Sequence, residues 1–187
     1  MNLHIVHLTD TPVSGIFLIE HFSTQTNKPK KDPVSMNEQT CVFCDRTKFN
    51  ECIVGESHGH WIIATYGQIS AGGYLLLVPK EHGPCIGDMT DEGLTSFKHA
   101  MHKTGHLLLT EYQCAAPLMF EHGIVGQTIE HAHMHFVPGV PEIGNRVRND
   151  FPDCEYVDFA SLNGFRRRYH NNPRPYLLWQ DPHHFGF

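Results

Sequence analysis

Residues His131-Ala132-His133-Met134-His135-Phe136-Val137 alternate imidazoles with apolar side chains, and this alternation restricts the fold more than any other feature of the chain. Successive side chains of a strand point to opposite faces, so the three histidines share one face while Ala132, Met134 and Phe136 share the other. The expectation is a sheet with one face packed on a core and one face left for chemistry. Spacing alone does not prove function: with 16 His among 187 residues, a chance match to this three-position template is expected in about one such chain in nine.

The surrounding sequence predicts more strands and one long helix. Residues 60–65 and 74–79 are apolar runs of strand length separated by Gly67 and Gly72-Gly73, so they are expected to pair antiparallel. Residues 117–121 and 131–137 read as two further strands around the Gly123 and Gly126 turn. Between the first pair of strands and the second, Leu94, Phe97, Met101 and Leu108 recur at helical spacing. Thr90 is the expected N-cap, with Asp91 and Glu92 in the first turn. Strands, a helix and more strands make an α+β domain with an antiparallel sheet. Residues 1–40 read as an N-terminal extension with strands at 3–8 and 15–20 forming a hairpin and a loop after it, and 41–140 as the main domain. Residues 141–187 read as a C-terminal extension packed on the same domain, irregular until Tyr176-Leu177-Leu178-Trp179, a candidate strand, lid or dimer contact.

Charge and cysteine usage narrow the partners. A net charge of −6 argues against a broad surface for a nucleic-acid polymer or an anionic membrane, since both demand a basic face. No run approaches the roughly 18 apolar residues of a membrane helix, and Met1-Asn2-Leu3-His4 lacks the basic-then-apolar order of a signal peptide, so a cytoplasmic location is expected. The 6 cysteines then read as thiols or metal ligands rather than a disulfide framework. Cys41-Val42-Phe43-Cys44 is a C-x-x-C pair, and thiolates with imidazoles are the usual ligands of tetrahedral zinc. His82 and His131 are the candidates to complete the set; packed small hydrophobes or a redox pair remain the alternative for the two cysteines.

Taken in order, Cys41-x-x-Cys44, Leu76-Leu77-Val78-Pro79-Lys80-x-His82 and Gly126-Gln127-Thr128-x-x-His131-x-His133-x-His135-Phe136-Val137-Pro138 resemble the histidine triad (HIT) family, over roughly residues 41–140. The resemblance implies a half-barrel antiparallel sheet with one long helix, a homodimer built through the helix and a shared sheet, and a nucleotide substrate. It implies a nucleotidyl hydrolase or transferase in which His133 attacks the α-phosphorus and forms a covalent nucleotidyl-imidazole. His135 would sit beside the phosphate as a donor or positive charge. Cys41, Cys44, His82 and His131 would hold a structural zinc, because four protein ligands leave no open position. Gln127 and Thr128 would meet the phosphate or leaving group; Gly123 and Gly126 would let the backbone approach it, or serve as plain turn glycines.

Two departures from the family pattern bear on substrate identity. Tyr74 stands where many members carry a histidine, and Glu121-His122 where an Asn often precedes the glycine loop, which would place a carboxylate or an imidazole near the leaving group. His at position 135, rather than the Gln of uridylyltransferase and phosphorylase branches, favours hydrolysis over transfer to phosphate or a sugar phosphate. Trp61 and Phe43 are candidates for a base-stacking pocket, with a core position as the alternative. Arg166-Arg167-Arg168 reads as a solvated face or a phosphate grip, His99, His102 and His106 as a solvent-facing helix stripe, and His183-His184 as tail. Two other readings compete: a catalytically idle nucleotide- or metal-binding module, and a catalytic metal centre built from His131, His133 and His135 themselves.

Overall fold

The computed structural model describes residues 13–18, 40–70, 72–113, 116–124, 127–139 and 143–182. Eleven elements follow in order: β1 (Val13–Leu18), β2 (Ile53–Ser57), β3 (His60–Ala64), β4 (Leu75–Pro79), α1 (Asp91–Tyr112), β5 (Leu118–Glu121), β6 (Met134–Val137), α2 (Gly144–Asp150), β7 (Glu155–Phe159), α3 (Leu162–Asn171) and β8 (Tyr176–Gln180). The strands form one open eight-stranded sheet in the order β2-β3-β4-β6-β5-β8-β1-β7. Every neighbouring pair is antiparallel, so the chain is the α+β type expected. No helix among the described residues is long and apolar enough to cross a membrane.

The long helix starts where its cap dictates, with Thr90 Oγ1 accepting from the Gly93 amide at 3.0 Å. Its Leu94, Phe97, Ala100 and Leu108 pack on Leu75, Leu77, Met119, Met134, Phe136 and Leu178 of the central strands. The β2–β3 hairpin, which the sequence reading did not include, turns through His58 (φ 47) and Gly59 (φ 77). Positive φ at both loop positions is the type I′ geometry that matches strand twist.

The segments outside residues 41–140 supply three strands of the same sheet. β8 pairs with β5 through Met119↔Gln180, Phe120↔Trp179 and Glu121↔Leu178, and β1 pairs with both β8 and β7. The expected irregular tail is thus corrected: residues 144–171 form α2, β7 and α3, and β8 covers the edge that β5 would otherwise expose. The strand expected at 15–20 runs Val13–Leu18, while the one expected at 3–8 and His183-His184 lie outside the described residues. Only β2 and β7 remain as sheet edges among the described strands. The arginine run is used locally: Arg166 bonds the Met89 carbonyl and Asp91, Arg168 pairs with Glu155, and both ties fasten α3.

Glu121 shows how strand alternation sorts β5. Its carboxylate is fully buried on the α1 side, accepting from the Ile86 amide at 2.8 Å and the Tyr176 hydroxyl at 2.5 Å. It lies on the opposite face of β5 from the triad, so of the carboxylate and the imidazole offered for the leaving-group side only the His122 imidazole faces His135. Burial raises this carboxyl from an ordinary 4.5 to about 8, against the lowering effect of those two bonds. A carboxyl with a raised native pKa binds more protons folded than unfolded. Its stabilising effect is therefore complete below about pH 4.5 and is lost as pH rises through about 8. Glu121→Gln, which mimics the protonated acid, is expected to flatten the decline in urea midpoint between pH 5 and 8; an unchanged slope in the variant contradicts this account.

Candidate metal centre and histidine cleft

Cys41 and Cys44 bracket a 3-10 turn at Val42–Cys44, which folds both thiols back over the end of β4. His82 lies three residues past Pro79, the last residue of β4, and His131 lies in the bend leading to β6. Their ligand atoms all fall within 4.8 Å of one another. Individual separations are 3.4 Å from Cys41 Sγ to His131 Nδ1, 3.3 Å from Cys44 Sγ to His82 Nδ1, 3.6 Å from Cys44 Sγ to His131 Nδ1, and 3.3 Å between the two Nδ1 atoms. Tetrahedral bonds of about 2.3 Å to sulfur and about 2.05 Å to nitrogen give edges of about 3.3 Å between nitrogens and about 3.6 Å between nitrogen and sulfur. The cluster has the dimensions of a four-coordinate centre and can hold a metal ion.

The tautomer of His131 fits the same purpose. Its Nε2 lies 2.9 Å from the Pro79 carbonyl oxygen, which can only accept, so Nε2 carries the proton and Nδ1 presents its lone pair to the cluster. Burial, with smaller effects from His82 and His133, lowers its pKa to about 4 despite the carbonyl, leaving a neutral ligand. Beneath the cluster, Phe43, Phe49, Trp61 and Val78 make a small apolar core.

His133 uses the opposite nitrogen. Its Nδ1 lies 2.6 Å from the His131 carbonyl oxygen, so Nδ1 is the donor and Nε2 holds the free lone pair. Burial outweighs that carbonyl and lowers its pKa, which keeps the ring neutral. Phe43 meets His133 edge-on at 5.4 Å and His131 at 5.7 Å, linking nucleophile candidate and metal cluster by one ring. His133 and His135 stand 4.9 Å apart, ring to ring. The expected strand 131–137 begins only at Met134, because the residues before it bend toward the metal cluster.

The remaining expected site residues divide. Gln127 donates from Nε2 to the Pro84 carbonyl at 2.6 Å, and its buried Oε1 has no partner among the described residues. Thr128 is exposed beside it, and Gly126 lies outside the described residues. Gly123 has φ 58, and a Cβ there would come within 2.7 Å of the Tyr176 carbonyl, so the position needs glycine for its approach to β8. Trp61 is buried, with Lys80 Nζ 3.9 Å and Arg46 Cζ 4.9 Å from its ring centre, so its ring already has partners. Tyr66, by contrast, is 83% exposed and lines a cavity with Arg46, Lys48, Phe49 and Asn50. His99 and His106 are exposed as expected, whereas His102 is half-buried.

Two further residues line the cleft: His122, the imidazole that the motif offered for the leaving-group side, and Phe120, to which the sequence assigned no role. His122, on the far side of β5 from Glu121, stands 5.6 Å from His135, and Phe120 stacks on His135 at 4.3 Å with the rings 4° from parallel. Simple alternation along 118–122 was the available signal. A second cavity of about 450 Å³, between the β2–β3 turn and the start of α1, includes His82 and Ala132 but neither His133 nor His135.

No family model matches the chain, and no curated protein matches it. Solved structures similar to it include HIT proteins. A HIT family hydrolase from Clostridium thermocellum is 25% identical, over 56% of this chain and 97% of that one, with a TM-score of 0.47. A HIT family protein from Bacillus anthracis is 24% identical, over 56% and 76%, at 0.46. A histidine triad protein from Clostridium difficile is 20% identical, over 57% and 96%, at 0.48.

Proposed function

We propose that the chain is a nucleotidyl hydrolase in which His133 is the nucleophile. The observation that carries this reading is the 2.6 Å bond from His133 Nδ1 to the His131 carbonyl. It spends the ring's one proton on the backbone and leaves a neutral Nε2 lone pair beside His135. In the first step Nε2 forms a bond to the α-phosphorus as the bond from phosphorus to the leaving group breaks, and the leaving group takes up a proton. The phosphorylated ring still carries its Nδ1 proton and is therefore cationic, so the His131 carbonyl stabilises it more strongly than the resting ring. Water then attacks phosphorus and gives up a proton to solvent, which replaces the one that solvent supplied to the leaving group; the N–P bond breaks, and His133 returns to its neutral state with release of a nucleoside monophosphate.

The quartet Cys41, Cys44, His82 and His131 is proposed to hold zinc, which suits two thiolates and two imidazoles in a tetrahedron. Four protein donors leave no open position, so the ion fixes the backbone at His131, whose carbonyl orients His133, and takes no part in bond making. The competing three-histidine metal centre finds no support, since His131 Nδ1 and His133 Nδ1 are aimed at different partners. Exposed Tyr66 is proposed as the aromatic surface for a base, in preference to the buried Trp61 and Phe43.

The substrate class is tested by incubating the protein with nucleoside phosphoramidates, dinucleoside polyphosphates and nucleotide sugars, with and without added phosphate. Nucleoside monophosphate as the product under both conditions supports hydrolysis. A nucleoside diphosphate formed only with phosphate would instead identify a phosphorylase, and binding without any product would identify an idle module.

A further inference from the structure

His135 is held by contacts that do not involve the metal cluster. Phe120 covers one face of its ring, and the Tyr74 hydroxyl lies 2.6 Å from its Nδ1. Tyr74 is itself fixed: its amide donates to Gln68 Oε1 at 2.9 Å, and its carbonyl accepts from Gln68 Nε2 at 3.2 Å. Its ring packs with Leu118, Val137 and Trp179, the last contributed by β8. His135 Nε2 is buried and has no partner among the described residues. A buried polar atom without a partner, next to the proposed nucleophile, marks a position where a ligand group belongs.

We propose that Tyr74 is a positioning residue that locks His135 in its Nε2–H tautomer, so that a neutral imidazole donor meets a phosphoryl oxygen of the substrate at His133. Its catalytic consequence rests on the nucleotidyl reading of His133; the tautomer itself does not. A neutral imidazole nitrogen is a far stronger acceptor than a phenol oxygen, and a phenol is a good donor, so the short contact is O–H to N. The proton of His135 is then left on Nε2. In the opposite tautomer a lone pair would face the anionic oxygens, and the hydroxyl proton would need another acceptor. Burial first, then His133 and His122, lowers the His135 pKa to about 3, so the ring acts as a dipolar donor and not as an imidazolium. Such a donor selects a group that accepts at close range, as a phosphoryl oxygen does, and adds no charge of its own to the covalent intermediate.

Tyr74→Phe keeps the packed ring and removes only the hydroxyl. Side-chain proton–nitrogen correlation spectra of the full chain are expected to show His135 protonated at Nε2 in the wild type and as a mixture of tautomers in the variant. With the substrate identified by the panel above, kcat is expected to fall by about 10- to 100-fold with KM little changed. In a His135→Ala background the same change should cost nothing further, because the hydroxyl acts only through that ring. A wild-type His135 protonated at Nδ1, or a variant with unaltered tautomer and kcat, overturns the proposal. Because the spectra need no substrate, a correct tautomer in a protein that turns over nothing would refute the nucleotidyl reading of His133 and leave the lock standing.

Discussion

Replacing His133 by alanine is expected to reduce turnover by at least about a thousandfold, since it removes the atom proposed to form the bond to phosphorus. The loss should fall on kcat. The side chain is buried, but its only polar partner among the described residues is the His131 carbonyl in the bend before β6, so metal content and the thermal transition should stay close to wild type. Kinetics and metal analysis on the same preparation check this. A variant that keeps most of its turnover contradicts the role of His133, and one that loses its metal would return the three-histidine centre to consideration.

The second large effect belongs to the cluster beneath it. Cys41→Ser takes away a fully buried thiolate donor and is expected to release the ion. An ion held at about a thousandfold above its dissociation constant contributes about 4 kcal/mol to folding. For a chain of this length that corresponds to a fall of about 8 to 16 °C in thermal midpoint. Metal content by atomic emission and the melting curve report the two halves of the prediction. Turnover should fall as well, because His131 both belongs to the cluster proposed to hold the ion and supplies the carbonyl that His133 Nδ1 bonds. A Cys41→Ser protein with full metal and an unchanged midpoint would show that the thiol is only packed.

How far the sequence discloses this arrangement depends on the range of the forces involved. The helix is legible because its cap and its spacing are local: Thr90 bonds Gly93, and Leu94, Phe97 and Leu108 fall on one stripe. The metal quartet is legible despite ligands 90 positions apart, because few residue types bind a soft ion and all four sit in compact motifs. The placement of β8 is not legible. Tyr176-Leu177-Leu178-Trp179 reads as a strand, a lid or a dimer contact, and nothing local says that it enters between β5 and β1. Likewise Tyr74 meets His135 through the register Leu75↔Phe136, a pairing fixed by the whole sheet. Glu121 and His122 divide by alternation alone, which places the carboxylate with α1 and the imidazole with the triad. The close approach of Gly123 to Tyr176 is likewise visible only once β8 is in place against it.

These connections make the C-terminal strand relevant to the cleft. Phe120 lies opposite Trp179 on one side and His135 on the other, so β8 supports the ring on which His135 rests. A chain ending near residue 140 would expose the β5 edge and lose that support.

The central claim is a covalent bond between His133 and a nucleotide. It is tested most directly by rapid acid quench of the wild-type protein during turnover of a substrate from the panel, followed by intact-protein and peptide mass spectrometry. The expected result is a mass increase of one nucleoside monophosphoryl group on the peptide containing His133, absent from His133→Ala and lost again as water completes the cycle. Turnover with no adduct at any quench time, or an adduct that persists in His133→Ala, would contradict it.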